Sequence, residues 1–310
     1  MKLMKLLSNN LLLVAMVAMV AMVTVAFASL AVYPPQVVAQ KKAVPDPNRI
    51  PPLLRTTTRH EVVRLGYGGT LTLVGAPVGS IKIEGWPRNE VDITADIEIR
   101  ADTEADLNRL GAINNFVLDD DSNHVRVLTM GTHDKAFMRT VDKKFPKELL
   151  GLPWKIDYRI RVPVSVDVNI NAGRGPITVG GIEGDVRILA AESETNLNLS
   201  GGSVSATVAI GKVNLVVPVR SWRGSGVELR LATGEIGLEL PADFSADIDG
   251  VILRTGKIND SFGGLTAREK PGLTPQQIKA RAGAGGAFIT LTVGDGNINI
   301  KKSVTVPLSQ

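Results

Sequence analysis

The 310-residue chain has no cysteine, only three histidines, and an aromatic content of 4%. Without cysteine there is no disulfide and no lipid-modified N-terminal cysteine, so an exported form must hold together by packing and backbone pairing. His60, His124 and His133 form no HxH or HExxH pattern, which argues against a metal or catalytic role for them. Scarce aromatics count against a platform for stacking sugars; Trp86, Trp154 and Trp222 are far apart and read as caps over ends or edges of a core. Phosphate cradles and hydrolase elbows are missing too. The cluster Gly173-Arg174-Gly175-Pro176 precedes a strand, no Gly-Lys-Ser/Thr occurs, and no Gly-x-Ser-x-Gly leads into a helix. The formal charge is +4, and removing Lys2 and Lys5 leaves +2, too little to steer nucleic acid. No cofactor is implied.

What the chain has is glycine followed by alternating aliphatics. "GSIKIEG" at residues 79–85 is echoed by "GPITV" from Gly175, "GDVRI" from Gly184, "GKVNL" from Gly211, "GEIGL" from Gly234, "GKIND" from Gly256 and "GDGNINIKK" from Gly294. Each copy reads as a tight corner followed by a half-buried strand, because glycine accepts positive φ and a period of two buries one face. Such units cannot bury their apolar side alone and must stack or pair. Gly211, Gly234 and Gly256 are spaced 23 and 22 residues apart, which predicts an all-β fold: a β-solenoid-like stack of short strands with glycine corners and one or two short helical insertions. A β-sandwich is the alternative. The final "GDGNINI" is expected to reverse the chain at residues 294–296 and close the stack, with Ile298 and Ile300 inward and Lys301 and Lys302 guarding an exposed edge.

Residues 1–39 read as a signal peptide or N-terminal membrane anchor: Lys2 and Lys5 precede an almost wholly apolar run from Leu11 to Tyr33. Cleavage patterns end at Ala28 and at Ala39, and Pro34 and Pro35 favour the second. Residues 40–60 read as a Pro-rich linker, 61–157 as an N-terminal β region, 158–302 as the β-strand repeat region and 303–310 as a C-terminal tail. Within the N-terminal region the pieces up to Ala101 look antiparallel. Thr103 and Asp106 predict the cap of a short helix presenting Leu107 and Leu110. "NNFVLDDDSNHVRVLTM" predicts a hairpin with Asp119 to Asn123 as a solvated turn; it lacks the glycine and glutamate of a calcium loop. The charged insertion 131–155 reads as a solvated loop rather than a lipid or glycan contact. Thr274 and Pro275 predict a second short helix.

"GSIKIEGWPRNEVDI", the chain of Gly-x-Ile/Val-x-aliphatic units and the ending "GGAFITLTVGDGNINIKK" together resemble the bacterial exported adhesin-type β-strand-repeat family of unknown function, DUF4097. The resemblance spans residues 62–301. It implies a repetitive β fold in the bacterial cell envelope and brings no catalytic residues with it.

The candidate site is a polar ladder. In "VSVDVNINAG", Val164, Val166, Val168 and Ile170 share one face, leaving Ser165, Asp167, Asn169 and Asn171 on the other. Asn196 and Asn198, Glu228 and Arg230, and Asp247 and Asp249 alternate in the same way. Stacked in register, Asp167, Asn169, Asn171, Asn196, Asn198, Asp247 and Asp249 could offer a groove to a polysaccharide or cation; the plainer reading is a solvated sheet face. The expectation is therefore a non-enzymatic, exported module of the periplasm, cell envelope or surface. Its partner is an envelope polysaccharide or another surface protein, with no nucleic acid, and with membrane contact only through the N-terminal segment if that is retained. The alternative is a carbohydrate-active β-helix enzyme, which requires a close pair of acids, for instance among Asp167, Asp247 and Asp249.

Overall fold

The computed structural model describes residues 49–141, 144–270 and 272–303. The expected export segment, residues 40–48 of the expected linker and residues 304–310 of the tail lie outside them. Among the described residues no helix is long and apolar enough to cross a membrane.

The chain from Ile50 onward forms one unit. It starts with β1 (Leu53–Arg64), which begins inside the segment expected to be linker and runs past its end at residue 60. Alternation there is carried by Arg, Thr and His rather than by aliphatics, which is why it reads as polar sequence although β-branched threonine suits a strand. Next come β2 (Thr70–Val78), β3 (Ile81–Trp86) and β4 (Glu90–Ala101). Helix α1 (Glu104–Ile113) follows as expected: Asp106 N donates to Thr103 Oγ1 at 3.1 Å, and Leu107 and Leu110 are buried. The expected hairpin is β5 (Asn115–Asp120) and β6 (His124–Met130), antiparallel throughout. The insertion holds a helical turn at Lys135–Met138 and a 3-10 turn at Lys147–Leu149. β7 (Trp154–Pro163) then runs straight across the expected boundary at 157/158, so the two β regions are not separate domains.

The strands that follow are β8 (Asp167–Arg174), β9 (Ile177–Gly180), β10 (Val186–Asn198), β11 (Gly201–Val216), β12 (Arg223–Leu240), β13 (Ala246–Thr255), β14 (Ile258–Ser261), β15 (Leu265–Ala267), β16 (Gln277–Ala282) and β17 (Ala287–Lys302). The fold is all-β. β12 shows how one rung is built. Val227, Leu229 and Leu231 are buried before the corner, and Ile236, Leu238 and Leu240 after it. The inward set thus passes from odd to even numbers around Gly234, which gives the strand two arms lining one core. Gly234 has φ 138°, and a Cβ there would run into the carbonyl of Gly211 in the adjacent rung. Gly296 stacks on Gly234 and Gly256 on Gly296 in the same manner, so these four glycine corners pack backbone against backbone with no room for a Cβ at Gly234, Gly296 or Gly256.

Rungs pair in parallel in the order β2/β3, β8/β9, β10, β11, β12, β17, β13/β14. Four expectations are corrected here. The last strand does not close the stack: β17 pairs with β12 on one side and with β13 and β14 on the other. Residues 294–296 make a corner within a continuous strand rather than a chain reversal, and Lys301 sits inside the stack, 2.8 Å from Glu239. Likewise, β2 and β3 are not part of an antiparallel meander but a bent rung paired in parallel on both sides, with β8 and β9 on one and with β6 and β7 on the other. At the N-terminal end the pairing does turn antiparallel: β1 with β4, β4 with β7, and β5 with β6. The expected helix at Thr274 is a turn into β16; Thr274 Oγ1 both accepts from Gln277 N and donates to Gln277 O, which closes the turn that begins the strand.

Candidate functional site

The seven ladder residues lie on two arms. Asp167, Asn169 and Asn171 are on β8 and Asp247 and Asp249 on β13, both in first arms, whereas Asn196 and Asn198 are on the second arm of β10. On the first arms the register runs Asn169, Arg187, Ser205, Glu228, Thr290, Asp249. Those are five rung steps of about 4.8 Å, so Asp167 and the β13 acids are roughly 24 Å apart and do not converge. On the second arms Asn196 continues through Asn214, Gly237, Asn299 and Asn259.

Most of these side chains are spent on neighbouring rungs. Asp167 Oδ1 accepts the backbone N–H of Asp185 at 2.8 Å, and Asp185 Oδ1 accepts that of Ser203 at 2.9 Å. Asn214 Nδ2 donates to Asn196 Oδ1 at 3.0 Å; Asn259 Nδ2 donates to Asn299 Oδ1, and Asn299 Nδ2 to Glu235 Oε1, each at 2.6 Å. Asp185, Asn214, Asn259 and Asn299 were not among the sequence candidates, although each follows the same strand alternation. Asp247 takes Arg281 Nε at 2.8 Å, and Asp249 takes Arg268 Nη2. The Arg281 hydrogen bond, with help from Arg268, holds the Asp247 carboxyl below the usual carboxylate range. Both carboxylates of this pair are thus engaged by arginines, Asp247 by Arg281 and Asp249 by Arg268.

The antiparallel end carries a second charged cluster that sequence reading did not single out. Asp92 accepts from Arg161 and lies 3.0 Å from His60 Nε2; Asp96 accepts from Arg159 at 2.8 Å and from Thr58 at 2.6 Å. Burial works against ionisation of Asp92, and Arg161 and His60 outweigh it, leaving the carboxyl below its ordinary range. Lys82, Glu84, Thr94 and Arg159 line a shallow depression beside it. A second depression crosses β2, β8, β10 and β11 and contains Asn169, Asn171, Arg187, Ser205 and Thr207.

The histidines and tryptophans are structural in their contacts. His124 and Asp121 shape the β5–β6 turn, where Asp121 Oδ1 accepts the N–H of Asn123 and of His124. His133 lies against Trp154, and its burial pushes the imidazole below its usual value. Trp86 and Trp222 are buried, each donating its indole N–H to a backbone carbonyl, of Glu90 and Gly202 respectively. Among the described residues no cluster of three or more metal-ligating side chains occurs.

No family model matches this chain, and no curated protein matches it. Among solved structures, it is similar to a candidate cell adhesion protein from Clostridium sporogenes, at 14% identity and TM-score 0.45, covering 80% of this chain and 100% of that one. A candidate adhesin from Bacteroides fragilis aligns at 12% identity and TM-score 0.28, over 81% of this chain and 100% of that one. A candidate lipid-binding protein from Parabacteroides distasonis aligns at 10% identity and TM-score 0.20, over 80% and 97%.

Proposed function

We propose that this chain is a non-enzymatic structural and interaction module of the cell envelope or surface, exported by its N-terminal segment, which offers a flat polar face to an envelope polysaccharide or another surface protein. The observation that carries the reading is the in-register row Asn169, Arg187, Ser205, Glu228, Thr290, Asp249: an extended, regularly spaced, hydrogen-bonding surface without a cleft where two acids meet. Repeated donors and acceptors at about 4.8 Å suit a ligand that is itself long and repetitive, because many weak contacts then add along one surface.

The test is co-sedimentation of the full chain with isolated envelope polysaccharide, run beside an assay for newly released reducing ends. Binding without release, weakened by Arg187→Ala with Glu228→Ala, supports the module. Release of reducing ends that Asp249→Asn abolishes would overturn it in favour of the carbohydrate-active alternative.

A further inference from the structure

Among the described residues, four strands have register pairs on one side only. Three are blunt: β5 has 6 residues and ends in two aspartates, β14 has 4, and β15 has 3. β1 differs. It is 12 residues long, keeps one register with β4 from Leu53 to Arg64 without a shift, and contains no proline, glycine or lysine. Proline, lysine and a register shift are devices that stop an edge from recruiting another strand, and the charges β1 does carry, Arg55, Arg59, Glu61 and Arg64, are of both signs.

Two hydrogen bonds fix which backbone groups face outward. Leu65 N donates to Asn89 O just beyond the end of the β1–β4 ladder, so odd-numbered β1 residues turn their N–H and C=O toward β4. Arg100 N donates to Pro153 O, away from β1, and Arg100 stands opposite Leu54, which agrees with that phase. The even residues from Leu54 to Arg64 therefore direct their N–H and C=O groups to the open side. Leu54 and Val62 are 48% and 50% exposed on that strand.

We infer that β1 pairs antiparallel with β1 of a second copy of this chain, about a two-fold axis at Thr58. Axes at Thr58 and at Arg59 both use the strand's full length, but an axis at Arg59 sets that arginine against its own copy and one at Thr57 sets Arg55 against Arg59, which leaves Thr58. In this register Leu54 meets Val62, Leu53 meets Val63, Arg55 meets Glu61, Thr56 meets His60, and no like charges oppose each other. The sequence is complementary to its own reverse in charge and in apolar character, which singles out a second copy over an unrelated strand. The surface lies apart from the polar face proposed above, so the inference does not depend on that function.

The chain's lack of cysteine makes the test direct. In the full chain purified in detergent, Thr58→Cys places two thiols opposite each other at a Cα separation of about 5.5 Å, within disulfide range. Mild oxidation should give about tenfold more covalent dimer than Val117→Cys on the β5 edge, matching the ratio expected of a paired over an unpaired site. Thr58→Pro removes the open-side N–H together with the Thr58 Oγ1–Asp96 hydrogen bond, and Thr58→Val, which loses only the hydrogen bond, is its control: the proline variant should abolish the non-covalent dimer in sedimentation and the valine variant should keep it. A wild-type monomer at every concentration, equal crosslinking at 58 and 117, or a dimer untouched by Thr58→Pro would each overturn the inference. Capture of the edge by the chain's own upstream segment would give the first of these.

Discussion

The antiparallel end and the parallel stack handle charge differently. In the paired registers from β8 onward like charges are kept apart: Lys212 lies between Glu194 and Glu235, Glu239 faces Lys301, and the second-arm row is largely asparagine; the exception, Asp167 beside Asp185 just ahead of the β8–β10 ladder, is met by backbone N–H groups. At the antiparallel end Asp96 faces Asp157, and where β7 leaves it to pair in parallel with β3, Lys82 faces Arg159. There the diagonal neighbours supply the compensation, Arg159 to Asp96 and Lys155 to Asp157. A stack of equivalent rungs sets each residue over its counterpart, so a charge kept at one position would repel itself up the column. Sign must alternate, or the position must turn neutral and pair with itself, as asparagine does. Irregular strands have diagonal partners to draw on and escape that rule.

Deep packing should show the largest contrast. Ile298 and Ile300 are fully buried in β17, an interior rung, so Ile298→Ala and Ile300→Ala should each cost about 2–5 kcal/mol in denaturant unfolding. Val63→Ala on the half-buried β1 should cost under about 1.5 kcal/mol. If the two sites cost the same, β17 is not interior.

Corners come next. Gly234→Ala combines a positive φ with collision against the Gly211 carbonyl and should cost about 2–6 kcal/mol, adding strain and overpacking. Gly68 also has positive φ but nothing within 4 Å of a Cβ, so Gly68→Ala should cost about 1–2 kcal/mol. Equal losses would mean that the column of corners is not close-packed.

Charge rules give a smaller effect. Thr290→Glu inserts an acid between Glu228 and Asp249 and should destabilise by about 0.2–1 kcal/mol at low salt, with recovery in 1 M salt as the Debye length shrinks to about 3 Å. A loss that is independent of salt would point to sterics instead.

The smallest effect is that of pH at the antiparallel end. Burial holds the His133 imidazole below its ordinary value of 6.5, so the unfolded chain binds its proton first as pH falls. Stability should therefore decline once pH drops below about 6.5 and continue to decline down to the lower folded value. Thermal melts of His133→Gln should show a flatter profile across that window than wild type; an unchanged profile would mean that other groups govern it.

Much of this fold was legible. The Thr103 cap, the β5–β6 hairpin and the corner glycines follow from local chemistry, because each needs only neighbouring residues. Rung period was half hidden. β8, β10 and β11 repeat every 18 residues, with corners at 175, 193 and 211, but the middle corner is Ser193, so a search for glycine passes over it. The switch of inward phase at each corner also looks like the end of one strand rather than the bend of a long one. Spatial order was not legible at all: β17 returns to a slot between β12 and β13 after the β15–β16 excursion, and no periodicity encodes which earlier rung a strand rejoins. The ladder was visible as alternation on single strands, but its division between two arms depends on that same order.

The placement of β17 is also the point most directly tested, again because the chain lacks cysteine. Glu239 is opposite Lys301, and Lys301 opposite Ser261, so Glu239 and Ser261 are two rungs apart, about 9.6 Å. The pair Glu239→Cys with Lys301→Cys should form an intramolecular disulfide readily, whereas Glu239→Cys with Ser261→Cys should not, since bridging fails beyond about 7 Å. The reverse result would place the rungs in chain order and contradict the account.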